Sequence, residues 1–287
     1  MNKIINTGIV LLFLLQNIAF GQYYHFEQAK SAQYTGNKIS CDDRGNLLIA
    51  AKGNLTKLDF SGNFIANYHP LFPGKIKCID AKDPRRILLY YKTYSYILFL
   101  NQDLANAGSL SFYNLNRNPQ PIDLSINNLG FSSLACLDEY NDAYWVYDAN
   151  TSEIVLLDQE NRIDFRGDAL DELMDLEPQP NFMMTEANRL FINNPSTGVY
   201  IFDENGRFVR KLALFGLKKI QVFKDMLFYT SNSFFITHNL ITGEETYHPL
   251  PVLEFIDWSL NMNTSPARIN FLTSKGVLIY SMEKNIK

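Results

Sequence analysis

Short runs of apolar residues recur along this chain, and turns rich in Gly, Asn and Asp separate them. Because β-branched and aromatic residues dominate these runs, each run is typical of a β-strand. The runs fall into six successive groups, and each group contains at least three predicted strands. The second strands of the groups begin at Asn46, Ile87, Ala143, Leu190, Met226 and Arg268, and the third strands begin at Leu55, Tyr96, Glu153, Gly198, Ser233 and Gly276.

The groups return at a regular spacing, with a mean of about 43 residues. Equivalent positions in their first strands are Cys41, Cys78, Cys136, Met184, Val222 and Trp258. A period of this length, with up to four strands in each repeat, is typical of a radial array of small sheets. We therefore predict an all-β fold, a six-bladed β-propeller.

The end of the chain predicts how the ring closes. After Trp258 too few residues remain for a complete blade, whereas the segment that starts at Tyr23 is left over at the beginning of the chain. We predict that this N-terminal segment supplies the outermost strand of the last blade. Such a strand would cover a sheet edge that otherwise invites aggregation.

The first 21 residues resemble a secretory signal peptide. Lys3 gives a charged start, Ile9 to Leu15 are apolar, and Ala19 to Gly21 fit a small-x-small cleavage site. We predict a leader at 1–21 and a single propeller domain at 22–287. The residue directly after the cleavage point, Gln22, is not a cysteine, and no later apolar run approaches 18 residues, so we expect neither a lipid anchor nor a membrane span after cleavage. The expected location is the periplasm, or the outer membrane through a partner.

Two groups carry insertions, at about 113–130 and 168–180. The first contains Asn116 to Pro121, a polar stretch with two prolines that indicates an irregular loop. The second predicts a short amphipathic helix packed on the propeller. Its apolar residues, at helical spacing, are Leu170, Leu173, Met174 and Leu176.

The net charge and the positions of the cysteines limit the functions that the sequence allows. With 26 basic against 30 acidic residues and a net charge of −4, the chain lacks the basic stripe that nucleic acid requires. The three cysteines share one position in three successive first strands. We therefore predict small core residues in place of a disulfide or a zinc site, which would show close pairs such as CxxC.

Motifs for catalysis are absent from the sequence. There is no P-loop and no GxSxG, and the four histidines have no metal-binding spacing. We predict that His25, His69, His238 and His248 are exposed turn residues. Three aspartates stand two residues after the equivalent first-strand positions Cys41, Cys78 and Cys136: they are Asp43, Asp80 and Asp138. We interpret them as builders of the following turns.

Two stretches resemble NHL-type six-bladed propeller repeats of exported bacterial proteins. They are Asp42-Asp-Arg-Gly-Asn and Phe202-Asp-Glu-Asn-Gly, and in such repeats these residues form the turns between strands. Related catalytic propellers, of the gluconolactonase and lactonase types, hold a divalent cation in the central channel through Glu, Asn and Asp side chains. The first strands here offer a largely basic set instead: Lys38, Lys75, Lys77, Lys218 and Lys219, with Glu254 and Asp257.

The expected function is a non-catalytic binding or scaffold propeller that mediates protein–protein interaction in the bacterial cell envelope, without a cofactor. Calcium is the possible exception, although no motif supports it. The candidate contacts with a partner or ligand are Tyr94, Tyr96, Arg117, Asp171 and Glu172. The alternatives are a metal-dependent hydrolase of the lactonase or esterase type, and a glycan binder that uses the tyrosines of the second blade.

Overall fold

The computed structural model describes residues 23–70, 74–112, 132–139, 142–174 and 176–285. Within these ranges, 24 strands form six four-stranded antiparallel sheets, and each sheet is one blade. First strands of neighbouring blades contact one another around a central channel. The predicted six-bladed propeller is confirmed. In the same ranges, no helix is both long and apolar enough to span a bilayer.

Within each of the first five blades the strands follow chain order from the channel outward. Blade one is β2 (Lys38–Cys41), β3 (Leu47–Ala51), β4 (Asn54–Leu58) and β5 (Phe64–Tyr68). Blade two is β6 (Ile76–Asp80), β7 (Ile87–Tyr91), β8 (Tyr96–Leu100) and β9 (Asn106–Ser111). Blade three is β10 (Ser132–Leu137), β11 (Tyr144–Asp148), β12 (Glu153–Leu157) and β13 (Ile163–Ala169).

Blade four is β14 (Phe182–Glu186), β15 (Arg189–Asn194), β16 (Gly198–Phe202) and β17 (Phe208–Leu212). Blade five is β18 (Ile220–Phe223), β19 (Met226–Ser231), β20 (Phe234–Asn239) and β21 (Glu245–Pro249). Blade six is β22 (Asp257–Asn261), β23 (Ala267–Thr273), β24 (Gly276–Asn285) and, outermost, β1 (Tyr23–Ala32).

The N-terminal strand closes the ring as predicted. β1 pairs antiparallel with β24, from Tyr23 opposite Asn285 to Ala32 opposite Val277, with a register shift between Gln28 and Lys30. The last blade is therefore built from both ends of the chain. This arrangement covers the edge of β24, which would otherwise present unpaired backbone groups.

The even number of strands in a blade gives the disc two different faces. Because four antiparallel strands return the chain to the side on which it started, the chain enters and leaves every blade on one side, which we call the linker face. The described residues of the connections between blades are 33–37, 69–70, 74–75, 112, 170–174, 176–181, 213–219 and 250–256. The turns after the first strands lie on the opposite side, the turn face, and their described residues are 42–46, 81–86, 138–139, 142–143, 187–188, 224–225 and 262–266.

Apolar side chains fill the space between neighbouring blades. Trp145 packs with Tyr200 and Phe202 between blades three and four, and Phe228 packs with Trp258 between blades five and six. These side chains are at most 2% exposed. Burial of large aromatic residues between sheets is a major source of stability in such folds.

Side chains of Asp and Asn build the turns at the turn face. In the first, Asp42 Oδ1 accepts the backbone N–H groups of Arg44 and Asn46, at 3.0 and 2.8 Å, and Gly45 has a φ of +87°. The prediction that Asp43 builds this turn is therefore wrong by one residue. The same pattern of two accepted N–H groups recurs at Asp59, Asn101 and Asp203.

The helix predicted within 168–180 is wrong. Among the described residues of this segment, a single 3-10 turn forms, at Asp171–Leu173. Leu170 and Met174 are buried between blades three and four, whereas Leu176 is 60% exposed. A helix of one or two turns has too few hydrogen bonds to offset the cost of its nucleation, so burial of the two apolar anchors decides the conformation.

A buried ion pair joins three blades at the linker-face end of the channel. Lys219 Nζ donates to Asp257 Oδ1 at 3.1 Å and to the backbone oxygen of Ile39 at 3.0 Å, and Asp257 Oδ2 accepts the Ile39 N–H at 2.9 Å. The Lys219 and Asp257 side chains are 14% and 8% exposed. Lys219 stands before β18 of blade five, Asp257 lies on β22 of blade six, and both bond to Ile39 on β2 of blade one. This pair therefore links the three blades.

Replacement of Asp257 by Ala tests this link. The substitution leaves the Lys219 ammonium buried without a counter-charge and removes the acceptor of the Ile39 N–H. We expect the free energy of unfolding, measured by urea denaturation, to fall by about 3–5 kcal/mol.

The matched control is Arg162→Ala, which breaks the exposed ion pair between Arg162 and Asp158 on the rim. Because solvent screens that pair, we expect a change of less than about 1 kcal/mol. Equal losses in the two variants would show that the Asp257 pair does not hold the ring.

A buried histidine connects blades five and six. His248 on β21 is fully buried, and its Nδ1 accepts the backbone N–H of Tyr24 on β1 at 2.9 Å. In this tautomer Nε2 carries the proton, 3.4 Å from Thr237 Oγ1. Burial lowers the pKa of His248 to about 4.

This pKa predicts how stability depends on pH. Between about pH 6.5 and pH 4 the unfolded chain binds a proton at His248 that the folded protein does not, so stability should fall as the pH falls through this window. His248→Asn keeps a hydrogen-bond acceptor but cannot titrate. We expect its melting temperature to decline less steeply from pH 7 to pH 4 than that of the wild type. Parallel profiles would contradict the assignment.

Candidate functional site

A cavity of about 590 Å³ occupies the turn-face end of the central channel. Residues from all six blades line it, most of them in the first strands and in the turns that follow them, and the cavity reaches as far as Lys219 at the linker-face end. Its volume lies within the range of small-molecule sites. The cavity is therefore a candidate site in the central channel.

Lys82 is the central charged group of this cavity. Its Nζ lies 2.7 Å from Glu139 Oε1 and 2.5 Å from Glu186 Oε2. Burial alone would lower the pKa of Lys82, but hydrogen bonds and charge attraction from the two glutamates raise it above its ordinary value. Lys82 is thus a permanent cation that holds blades two, three and four together.

Backbone and side-chain hydrogen bonds extend these links around the mouth of the cavity. The Asp43 N–H donates to the Lys82 oxygen at 3.0 Å, and Asn263 Nδ2 donates to Asp43 Oδ1 at 2.9 Å. Glu186 Oε1 accepts the Lys224 N–H at 2.9 Å. With the ion pairs of Lys82, these bonds involve a residue from each of the six blades.

Two further carboxylates in the cavity wall hold blade three. Asp80 Oδ2 accepts the Leu137 N–H at 2.9 Å, and Asp138 Oδ1 accepts the indole N–H of Trp145 at 3.1 Å. Burial raises the pKa of Asp80, and it also raises that of Asp43 at the mouth. The wall carboxylates therefore contribute to packing between blades.

Lys82 and Glu139 were not among the predicted site residues. Lys82 and Glu139 stand within four residues after Cys78 and Cys136, the equivalent first-strand positions of their blades. Glu186 stands in the same region of blade four. This shared position was a usable signal, because the equivalent turns of all blades meet at one mouth. Their pairing was not visible, since nothing local specifies which turn side chains reach across the channel.

The cysteines do not form a reactive site. Cys41 and Cys78 line the cavity and Cys136 is buried, and all three are free thiols. Cys41 Sγ donates to the Leu260 oxygen at 3.0 Å. Burial raises the pKa of Cys41 to about 12 and raises those of the other two as well. Because the thiolate is the nucleophilic form, these thiols are inert.

The mouth does not fit a divalent cation. The ammonium of Lys82 lies between Glu139 and Glu186, in the place that a cation shared by these carboxylates would occupy. No set of three or more His, Cys, Asp or Glu side chains is arranged for a metal in the ranges that the structure describes. The carboxylates of the mouth therefore act as partners of a lysine.

The histidines lie away from the cavity lining. His25 and His69 are exposed, and His238 Nδ1 is 3.3 Å from Glu245 Oε1 on blade five. The prediction of exposed turn residues is wrong for His238, whose side chain is 12% exposed on β20, and for His248, which is buried on β21. His25 is exposed but lies on β1 and not in a turn. The ring of His248 instead fills a space between strands.

The two predicted contacts in blade two, Tyr94 and Tyr96, lie in different elements. Tyr96 is half-buried on β8, directly opposite Tyr91 of β7, with ring centroids 6.0 Å apart. Tyr94 ends the 3-10 turn Lys92–Tyr94 at the linker face. Tyr96 is thus part of a cross-strand aromatic pair.

The other predicted contacts lie in the insertions. Asp171 and Glu172 are exposed in the 3-10 turn of the linker face. Arg117 and the whole segment 113–130 lie outside the described residues, as does the predicted leader at 1–21. Of the predicted contacts whose side chains the structure describes, Tyr96, Asp171 and Glu172, none lines the central cavity. The role of the five residues as contacts stays a prediction.

No protein-family model matches this chain, and neither does any curated protein. Solved structures, however, match this chain. A streptogramin B lyase structure matches with a TM-score of 0.56 at 14% identity, covering 91% of this chain and 98% of that one.

A second match is a catalytically inactive virginiamycin B lyase from Staphylococcus aureus with quinupristin. Its TM-score is 0.54 at 14% identity, with 91% of this chain and 88% of that one covered. At this identity the two matches show the fold alone, which is a six-bladed β-propeller.

Proposed function

We propose that this protein is a non-catalytic, exported propeller of NHL-like repeats that binds a protein partner in the bacterial cell envelope. The partner docks on the linker face. The observation that carries the proposal is the placement of large exposed apolar side chains on that face. The export expected from the leader at 1–21 supplies the location.

The apolar side chains lie in three successive connections between blades three and six. Leu176 and Phe215 are each 60% exposed, Leu253 is 68% exposed and Ile256 is 51% exposed. A single exposed apolar residue needs no explanation, but several in successive connections on one face indicate an interaction surface. We call these four residues the apolar series.

Charged residues flank the apolar series. Asp171 and Glu172 precede Leu176, Lys218 follows Phe215, and Glu254 stands beside Leu253. An apolar centre with a polar rim is the usual composition of a protein–protein interface. The partner is therefore a protein with an apolar patch of its own.

The turn face has a different character. Its centre is the charged mouth at which Lys82 is paired with Glu139 and Glu186. One of its exposed apolar residues, Phe60, lies under the Arg268 guanidinium, 5.1 Å from the ring centroid to Cζ. Docking of an apolar partner is thus better supported at the linker face.

The catalytic alternatives have less support. One structural neighbour is a lyase, and the other is an enzyme made catalytically inactive by replacement of a histidine with alanine. In this chain the histidines lie outside the cavity lining, and the thiols of Cys41 and Cys78 have raised pKa values. The glycan alternative depended on Tyr94 and Tyr96, and Tyr96 packs against Tyr91.

Introduction of negative charge on the linker face tests the proposal. In the double variant Phe215→Asp, Ile256→Asp, two carboxylates replace exposed apolar groups, so an apolar partner should no longer dock. We expect the proteins that co-purify with the wild type from crosslinked envelope extracts to be lost. The melting temperature should change little, because both side chains are more than half exposed.

The control is Ile241→Asp, which replaces a side chain that is 76% exposed in the β20–β21 turn of the turn face. It should keep the co-purifying proteins. If the double variant and the control retain the same proteins, the partner does not bind through the linker face.

A calcium titration separates the proposal from a metal-dependent hydrolase. Because the Lys82 ammonium already occupies the space between Glu139 and Glu186, the melting temperature of the wild type should be equal in calcium and in a chelator. Lys82→Met removes the ammonium, and calcium should then stabilise the variant by binding the unpaired carboxylates. A stoichiometric metal in the purified wild type, with a rise in its melting temperature, would favour the hydrolase.

A further inference from the structure

We propose that the linker-face end of the channel binds a small polyanion, whose phosphate or carboxylate groups are held by Lys38, Lys77 and Lys92. This site is separate from the apolar series, which lies on the connections of blades three to six. It does not depend on the proposed function.

The backbone places the three lysines on adjacent elements of blades one and two. Lys38 is the first residue of β2, and Lys92 begins the turn between β7 and β8. Lys77 lies in a β-bulge, because Ile76 pairs with Tyr91 and Cys78 pairs with Tyr90, which leaves Lys77 as the extra residue. Bulges of this kind redirect a side chain and are common beside binding sites.

Lys38 and Lys92 both lie close enough to Lys77 for their charges to act on it. Lys77 is half-buried, and burial, followed by the charges of Lys38 and Lys92, lowers its pKa, while Cys78 opposes the shift. Lys38 and Lys77 both act on the neighbouring thiol of Cys78. The lysines therefore form one cluster of like charge.

This cluster has no acidic partner in the described part of the chain. No carboxylate oxygen of a described residue lies within 4.0 Å of the Nζ of Lys38, Lys77 or Lys92. A half-buried cation among other cations is unfavourable unless an anion neutralises it. Among the described residues the charge of Lys77 is therefore uncompensated, and a bound anion would compensate it.

Other lysines of the channel show the contrast. Lys82 is paired with Glu139 and Glu186, and Lys219 is paired with Asp257. Where a lysine links blades, this protein supplies a carboxylate at hydrogen-bond distance. The cluster at the linker-face end departs from that pattern, which points to a ligand as its counter-charge.

The chemistry of the cluster defines the class of ligand. Lysine ammonium groups are compact point charges with three donors each, and they bind phosphate and carboxylate oxygens without a fixed planar geometry. Three of them require a ligand with more than one negative charge. Pyrophosphate and citrate are suitable probes for the phosphate and carboxylate classes.

The test is calorimetric titration of the purified protein with pyrophosphate and, separately, with citrate. We expect saturable binding of at least one probe at a single site, weakened by added salt because the attraction is electrostatic. Lys77→Gln should weaken that binding at least tenfold. The stronger probe identifies the class of ligand. The control Lys275→Gln removes the same charge from the exposed β23–β24 turn and should bind like the wild type.

Thermal melts supply an independent measurement. Without a probe, Lys77→Gln should raise the melting temperature, because it removes a half-buried charge repelled by Lys38 and Lys92. The double variant Lys38→Gln, Lys92→Gln serves if Lys77→Gln fails to fold. Absence of saturable binding of both probes by the wild type would overturn the proposal. So would wild-type affinity in the lysine variants.

Discussion

A ring of sheets is complete only when the two ends of the chain meet, and in this protein the pairing of β1 with β24 makes that contact. The register runs from Tyr23 opposite Asn285 to Ala32 opposite Val277. Two other contacts reinforce the same junction. The His248 ring accepts the N–H of Tyr24, and the Lys219–Asp257 pair joins blade six to its neighbours on both sides. A closed ring then fixes which turns meet at the channel.

Closure with four strands in each blade also separates two kinds of surface. At the turn face the charged groups are satisfied within the protein, since Lys82 bridges two glutamates from other blades. At the linker face apolar side chains are exposed, and the lysines near Lys77 have no carboxylate beside them in the described residues. Charges that are paired hold blades together, whereas apolar groups and charges left unmatched favour a partner or a ligand.

The local sequence predicted much of the fold but not all of its details. Apolar strands and turns that contain Asp and Gly are short-range features, so the second and third strands of every blade followed from them. The turn at Asp42 shows the limit, because Asp42 and Asp43 are identical in type and only the backbone geometry decides which carboxylate accepts the N–H groups. The segment 168–180 shows another, because burial of Leu170 and Met174 outweighed its helical spacing.

The number of blades, the closing strand and the basic character of the first strands could all be read from the chain alone, because they depend on periodicity and composition. The partners of those charges could not. Lys82 meets Glu139 and Glu186 at sequence separations of 57 and 104 residues, and the curvature of the ring sets such contacts. The bulge that makes Lys77 the extra residue of β6 was likewise invisible beforehand, because it depends on how β6 pairs with β7 and not on the residues of β6 alone.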